Sequence, residues 1–241
     1  MNLAVEQIAH NLAAIRERIA TAAKRAGRSP EEVEIVAATK YVPTDEVGSL
    51  AEAGVTVVGE NRLQDLVAKQ EAWRDHFTWD FIGHLQSRKV KDVAARVRMI
   101  HSVDSVSAVK QLAALTVPPP KLLLQVNIAG ESTKSGVAIA EVADFLVAAE
   151  PHESVAFTGL MTMPPLAANP EQARPYFAQL RELAEQLKVQ WQPRHSFTVL
   201  SMGTSQDFVI AVEEGATTVR IGSTLYGGFS SPRTNHRARS N

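Results

Sequence analysis

Glu34-Ile-Val-Ala-Ala-Thr-Lys40 decides how the rest of the chain is read. Its apolar run is too short for a typical helix and rich enough in β-branched residues to be a strand buried on both faces. Strands of that kind belong to parallel sheets covered by helices. Lys40 closes the run, which places an amine at the carboxyl end of a buried strand.

Upstream of this segment, Leu3, Ile8, Leu12, Ile15 and Ile19 recur at helical spacing and form one apolar face. That helix ends at Gly27, ahead of Ser29-Pro30. Downstream, the chain alternates. Candidate strands cover Val55 to Gly59, Trp79 to Gly83, Met99 to Val103, Leu122 to Asn127, Val155 to Met161, Phe197 to Met202 and Thr218 to Gly222. Candidate helices between them cover Thr44 to Ala53, Arg62 to Trp73, Ser87 to Ala95, Ser105 to Leu115, Ile139 to Ala149, Pro170 to Lys188 and Ser205 to Glu214. With the first strand this makes eight units, and strict alternation implies parallel pairing through right-handed crossovers.

Eight units favour closure over an open doubly wound sheet, because closure removes both edges. The expected fold is α/β, a single (β/α)8 TIM barrel with an extra N-terminal helix. A length of 241 residues agrees with the roughly 250 usual for that fold. No internal repeat or linker divides the chain, and Pro118-Pro119-Pro120 interrupts only the approach to one strand. The barrel is assigned to residues 1–231. A tail over 232–241 holds Arg233, Arg237 and Arg239 among polar residues, and it is expected to be disordered because it has no apolar residue to repay ordering.

Composition narrows the chemistry. With 45% hydrophobic and 21% charged residues and no apolar run of membrane-spanning length, the chain reads as soluble. Met1 to Arg25 mixes apolar and charged residues where a signal peptide would carry one apolar block, so a cytoplasmic location is expected. There is no cysteine, which excludes disulfides, thiolate nucleophiles and metal-thiolate sites. The seven histidines show no metal-ligand spacing, and a net charge of -1 supplies no basic field for nucleic acid or acidic membranes.

Barrels place reactive groups at the carboxyl ends of their strands, and the loops after strands seven and eight commonly hold a phosphate. Ser201-Met-Gly-Thr-Ser205 follows the seventh strand and Gly222-Ser-Thr224 the eighth. In both, small hydroxyl residues stand beside glycine, which suits a phosphate monoester. Lys40, on the first strand of a closed barrel, would neighbour the eighth. Partial desolvation there would favour its neutral amine. Lysine beside a phosphate site suggests an imine with a phosphorylated carbonyl compound. Two chemistries share that pair: pyridoxal 5'-phosphate (PLP) held as a Schiff base, and a Schiff-base aldolase acting on a sugar phosphate. Arg220, between Val219 and Ile221, is placed to aim into the barrel.

The segments Val36-Ala-Ala-Thr-Lys-Tyr41, Gly59-Glu-Asn61, Phe81-Ile-Gly-His-Leu-Gln-Ser87, His101-Ser-Val-Asp104, Gln125-Val-Asn127, Lys134-Ser-Gly136, Gly159-Leu-Met161, Leu200-Ser-Met-Gly203 and Val219-Arg-Ile-Gly222 carry a resemblance that spans nearly the whole chain in order. With them, the sequence resembles the pyridoxal phosphate homeostasis family, whose fold is similar to the amino-terminal barrel domain of alanine racemase. The resemblance implies that Lys40 forms the Schiff base with PLP and that Arg220 approaches the pyridine nitrogen. It implies that Ser205, Gly222, Ser223 and Thr224 hold the phosphate, and that Asn61, Ser201 and Met202 line the ring or its polar substituents. Thr204, Arg88 and Tyr226 depart from residues frequent in the family and bear only on packing around the site.

His84 and Lys134 stand as a further ligand or transit site. Glu60 and Asp207 read as charges at helix starts, and Met161 and Met163 as packing at the barrel mouth. The expected function is a PLP carrier or buffer that contributes to intracellular PLP and amino acid homeostasis without efficient catalysis. Its expected partners are PLP and recipient PLP-dependent apoenzymes, and it is expected to be a monomer. The alternative is a weak PLP-dependent amino acid racemase.

Overall fold

In the computed structural model, which describes residues 4–131 and 134–227, the strand read at Glu34 belongs to a closed barrel. The strands are β1 (Glu34–Ala38), β2 (Val57–Glu60), β3 (Thr78–Phe81), β4 (Met99–Val103), β5 (Lys121–Asn127), β6 (Val137–Ala138), β7 (Phe157–Met161), β8 (Val199–Thr204) and β9 (Thr218–Ile221). All pairings are parallel. The ring runs β1 to β5, then β7, β8 and β9, which returns to β1 with Glu34 beside Thr218 and Val36 beside Arg220. Eight strands therefore form the barrel as expected. The two-residue β6 pairs with β5 outside the ring, where sequence reading placed no strand.

The helices are α1 (Val5–Arg25), α2 (Gly48–Glu52), α3 (Leu63–Trp73), α4 (Val90–Ala94), α5 (Val106–Ala113), α6 (Val142–Ala149), α7 (Arg174–Trp191), α8 (Phe208–Glu213) and α9 (Ser223–Gly227). Seven of them cross between barrel strands. The extra helix α1 buries Ile8, Leu12, Ile15 and Ile19 as its spacing predicts, and packs on α8 and α9. Asn11, on the same buried face, donates to the Leu225 carbonyl at 2.9 Å and so ties the first helix to the last. Leu3 and the expected tail over 232–241 lie outside the described residues.

Boundaries shift where local backbone demands it. β8 begins at Val199 because Phe197 holds φ 45°, which no extended strand accommodates, and it runs on to Thr204. β1 stops at Ala38, so Lys40 stands two residues past the strand in a turn closed by Val42 N–H donating to the Thr39 carbonyl at 2.8 Å. The segment after β9, read as a loop, turns directly into α9. Among the described residues no helix is long and apolar enough to cross a membrane.

Candidate functional site

The carboxyl end of β1 is fixed from three sides. The Tyr226 hydroxyl donates to the Ala38 carbonyl at 3.0 Å, and the Thr39 N–H donates to the Gly59 carbonyl at 3.0 Å. From α3, Lys69 reaches inward to donate to the Thr39 carbonyl at 2.7 Å and to pair with Glu60, whose carboxylate also accepts the Thr39 hydroxyl. Both charged partners are buried. Glu60 is thus a core ion-pair partner at the end of β2, which corrects its reading as a helix-start charge. Lys40 itself is exposed, its ammonium 4.9 Å above the Tyr41 ring, so the expected partial desolvation is absent. A backbone held by these hydrogen bonds carries a solvent-facing amine.

The loops after β8 and β9 meet at Ser205. Its hydroxyl oxygen accepts the Gly222 N–H at 3.1 Å and the Thr224 N–H at 3.2 Å, while the Thr224 hydroxyl donates to the Ser205 carbonyl at 3.2 Å. Two backbone amides therefore converge on one oxygen, the arrangement an anion's oxygen would take. Gly203 makes the turn possible. It holds φ +92°, and a Cβ there would lie 2.5 Å from the Ala211 Cβ. Asp207 does start α8, as expected, but its carboxylate turns back to accept the Thr204 N–H at 2.6 Å and the Thr204 hydroxyl at 3.0 Å.

Arg220 points from β9 into the barrel and is buried. It donates to the Thr162 carbonyl at 2.9 Å, to the Ser201 carbonyl at 2.8 Å and to the Ser201 hydroxyl. Burial pushes its pKa down to about 10, and Asp207 opposes that. Ser201 in turn meets His101 Nδ1 at 2.8 Å across the barrel, and His101 Nε2 meets Asp80 at 3.2 Å. Asp80 takes two hydrogen bonds from Arg98, at 3.1 and 2.7 Å, and Arg98 also grips Glu34, at 2.7 and 2.6 Å. The barrel interior thus carries a polar array where layers of branched apolar side chains are usual. Sequence reading missed Asp80 and the role of His101. Their signal was a polar residue inside each of two apolar strands, Thr78-Trp-Asp-Phe81 and Met99-Ile-His-Ser-Val103.

With this geometry in place, likeness to known proteins is informative. Residues 10–230 match the family model described as alanine racemase, N-terminal domain. A relative from Aquifex aeolicus named pyridoxal phosphate homeostasis protein is 39% identical over 220 residues, 90% of this chain and 96% of its own. The chain belongs to the pyridoxal phosphate homeostasis protein family. Among solved structures, PipY of Synechococcus elongatus, with PLP bound, is 33% identical with a TM-score of 0.76, covering 91% of this chain and all of its own. A Bifidobacterium adolescentis protein of 29% identity superposes with a TM-score of 0.85, covering 94% of this chain and all of its own.

The remaining positions singled out on this homeostasis-family barrel divide into two groups. Asn61, just past β2, has a buried side-chain oxygen without a hydrogen-bond partner. Met202 is fully buried in the hydrophobic core, and Ser201 spends its hydroxyl on His101 and Arg220. His84 is exposed, 3.8 Å from Asp104, whose pKa is raised by burial. Lys134 pairs with Glu131 at 3.3 Å and lines a cavity of about 480 Å³ with Gln125, Met163, Leu166, Thr204 and Asp207. That cavity abuts the Ser205 loop and has Lys134 in its lining, whereas His84 stands with Asp104 past the carboxyl ends of β3 and β4, on the same end of the barrel but outside that lining. Among the described residues no cluster of metal-ligating side chains occurs.

Proposed function

We propose that this protein binds PLP reversibly as a Schiff base on Lys40 and carries or buffers it, contributing to intracellular PLP and amino acid homeostasis. One observation carries the reading: the strand that Lys40 follows pairs with β9, Arg220 points inward from β9, and the loops after β8 and β9 meet where Ser205 clasps the amides of Gly222 and Thr224, so all of these stand on neighbouring strands of one barrel. These fit the parts of PLP in turn. The amine meets the aldehyde, the loop amides with Ser205, Ser223 and Thr224 hold the phosphate, and Arg220 faces the ring nitrogen. The orphaned Asn61 oxygen and Met202 complete the ring's surroundings. The bound group supplies a reactive aldehyde and an electron-accepting ring.

The chain's own residues favour holding over turnover. Arg220, a cation beside the ring nitrogen, disfavours its protonation by like-charge repulsion and weakens electron withdrawal. PipY with PLP bound supports the binding of PLP, and the homeostasis names of the relatives agree with a role in holding it. We place the protein in the cytoplasm as a monomer that passes PLP to apoenzymes. The eight strands of the ring leave no edge among themselves for pairing with a second copy.

The test is an absorption spectrum of the protein with PLP, then borohydride reduction and peptide mapping. A phosphopyridoxyl group on Lys40 is expected, and a major adduct on any other lysine would overturn the assignment. Pyridoxal lacking the phosphate should bind at least about tenfold more weakly, since charge-assisted hydrogen bonds are lost. The Ser205→Ala, Thr224→Ala double variant should weaken PLP similarly.

A further inference from the structure

We propose that His101 is a positioning residue for Arg220, acting through the Ser201 hydroxyl and anchored from the amino-terminal end of the barrel by Asp80, Arg98 and Glu34. This rests on the reading of Arg220 as the partner of the PLP ring.

Arg220 is an unusual buried cation. Among the described residues no carboxylate forms an ion pair with it, and its hydrogen-bond partners are two backbone carbonyls and one hydroxyl. A guanidinium held by neutral oxygens depends on each of them, because burial removes the water that would replace a lost partner. The Ser201 hydroxyl is the single side chain among them. Its oxygen accepts from Arg220, so its own hydrogen must go elsewhere, and His101 Nδ1 at 2.8 Å is the acceptor.

That assignment fixes the rest. If Nδ1 accepts, the proton of the neutral imidazole sits on Nε2 and donates to Asp80 at 3.2 Å. Asp80 accepts in turn from Nε and Nη2 of Arg98, and Glu34 at the start of β1 accepts from Nη1 and Nη2. Formal charges then balance: two carboxylates, two guanidiniums and a neutral histidine. A protonated His101 would add an uncompensated cation and direct Nδ1–H at the oxygen that receives Arg220. The titratable groups facing His101 are Asp80 from β3, Arg98 ahead of β4 and Arg220 from β9, and burial, more than these, keeps it neutral.

The two halves of the imidazole can be separated by substitution. In His101→Asn the side-chain oxygen can take the place of Nδ1 and accept from Ser201 without reaching Asp80. In His101→Gln the amide nitrogen can reach Asp80 and leaves Ser201 without its acceptor. PLP affinity and the pH midpoint of the bound PLP absorption band are to be measured for both, with Ser201→Ala, the Ser201→Ala/His101→Gln pair and Glu34→Gln. Expected are a loss of about tenfold in affinity and a displaced midpoint for His101→Gln and for Ser201→Ala. The pair should be no worse than either single, and His101→Asn should stay near wild type. Glu34→Gln should move the midpoint in the same direction by less. Competition by inorganic phosphate should be unchanged throughout.

Additive losses in the pair, or equal losses in Asn and Gln variants with an unmoved midpoint, would reduce His101 to a packing residue and overturn the proposal. Side-chain nitrogen NMR of the protein without PLP separates this from failure of the PLP reading itself. Protonation of His101 on Nε2, persisting below the ordinary histidine pKa of about 6.5, supports the array whatever binds at the mouth. An Nδ1-protonated ring refutes it.

Discussion

Replacing Lys69 by methionine should be among the most damaging single changes in this barrel, although no part of Lys69 reaches the surface of the site. Its ammonium and the Glu60 carboxylate are both buried, with side-chain exposures of 4% and 0%. Removing the cation leaves the carboxylate with only the Thr39 hydroxyl and the Asn61 N–H, at 3.2 Å, to stabilise it. Breaking a buried pair from one side costs about 3 to 5 kcal/mol, because the remaining charge keeps its desolvation penalty. For a chain of this size, about 2 to 4 °C accompanies each kcal/mol, so the melting temperature should fall by on the order of 10 °C. The same pair replaced on both sides, Lys69→Met with Glu60→Leu, removes the stranded charge and should recover most of the loss. Urea and thermal melts of the PLP-free protein measure both. A single variant within about 1 kcal/mol of wild type, or a double variant as unstable as the single, would refute the reasoning. Because Lys69 also fixes the Thr39 carbonyl, PLP affinity should fall in the single variant even where the fold persists.

His195 is buried with its pKa pushed down to about 4 by burial and, secondarily, by Arg194. Between that value and about 6.5 the unfolded chain binds the extra proton, so stability should decline as pH falls through this window. Linkage sets a ceiling near 3 kcal/mol, and screening around half-buried Arg194 brings the expected loss to about 2 kcal/mol. His195→Asn, which can keep an acceptor for the Phe157 N–H, should flatten that slope in denaturation measured from pH 7 to 4; an unchanged slope would exclude His195 as its source. Gly203→Ala should destabilise by roughly 2 kcal/mol and weaken phosphate binding, since the new Cβ collides with Ala211 at a left-handed backbone position; a melt and a phosphate titration within error of wild type would count against the tight-turn account. Amino acid racemisation should be absent or slow. Tyr226 spends its hydroxyl on the Ala38 carbonyl, and burial raises its pKa far from where it could exchange protons. Rapid inversion and Cα deuterium exchange that vanish in Lys40→Ala would reverse that conclusion.

Most of the barrel was legible because buried parallel strands announce themselves by short apolar runs, and Lys40 and Arg220 were legible because they interrupt or end such runs. The interior array was not. Asp80 and His101 are each the one ionisable residue of their strand, and only closure of the ring makes β4 face β8 across the interior. Glu60 was misread for a related reason. A glutamate ending a strand and a lysine on a helix are each ordinary surface residues, since a lysine usually extends its stem toward water, and nothing local says that Lys69 turns inward. β6 escaped because Val137-Ala138 is too short to show a period, and α9 because Gly222-Ser-Thr224 has the composition of a loop.

Closure of the ring by β1 and β9 also sets when in its life the protein can first meet a ligand. A ribosome delivers Lys40 early and its neighbours on β9 late. Until the last strand has been made, the first shows a bare edge, and a pairing between such distant segments is of the slowly formed kind. Lys40 therefore precedes the loop amides of Gly222 and Thr224 that would complete the proposed site. A nascent or truncated chain that stops short of Thr218 would have no weakened version of the proposed site, only an exposed lysine on an open sheet. Stabilisation by ligand through mass action can then act only on the sealing of the barrel, so occupancy by PLP would report completed chains and pass over partial ones.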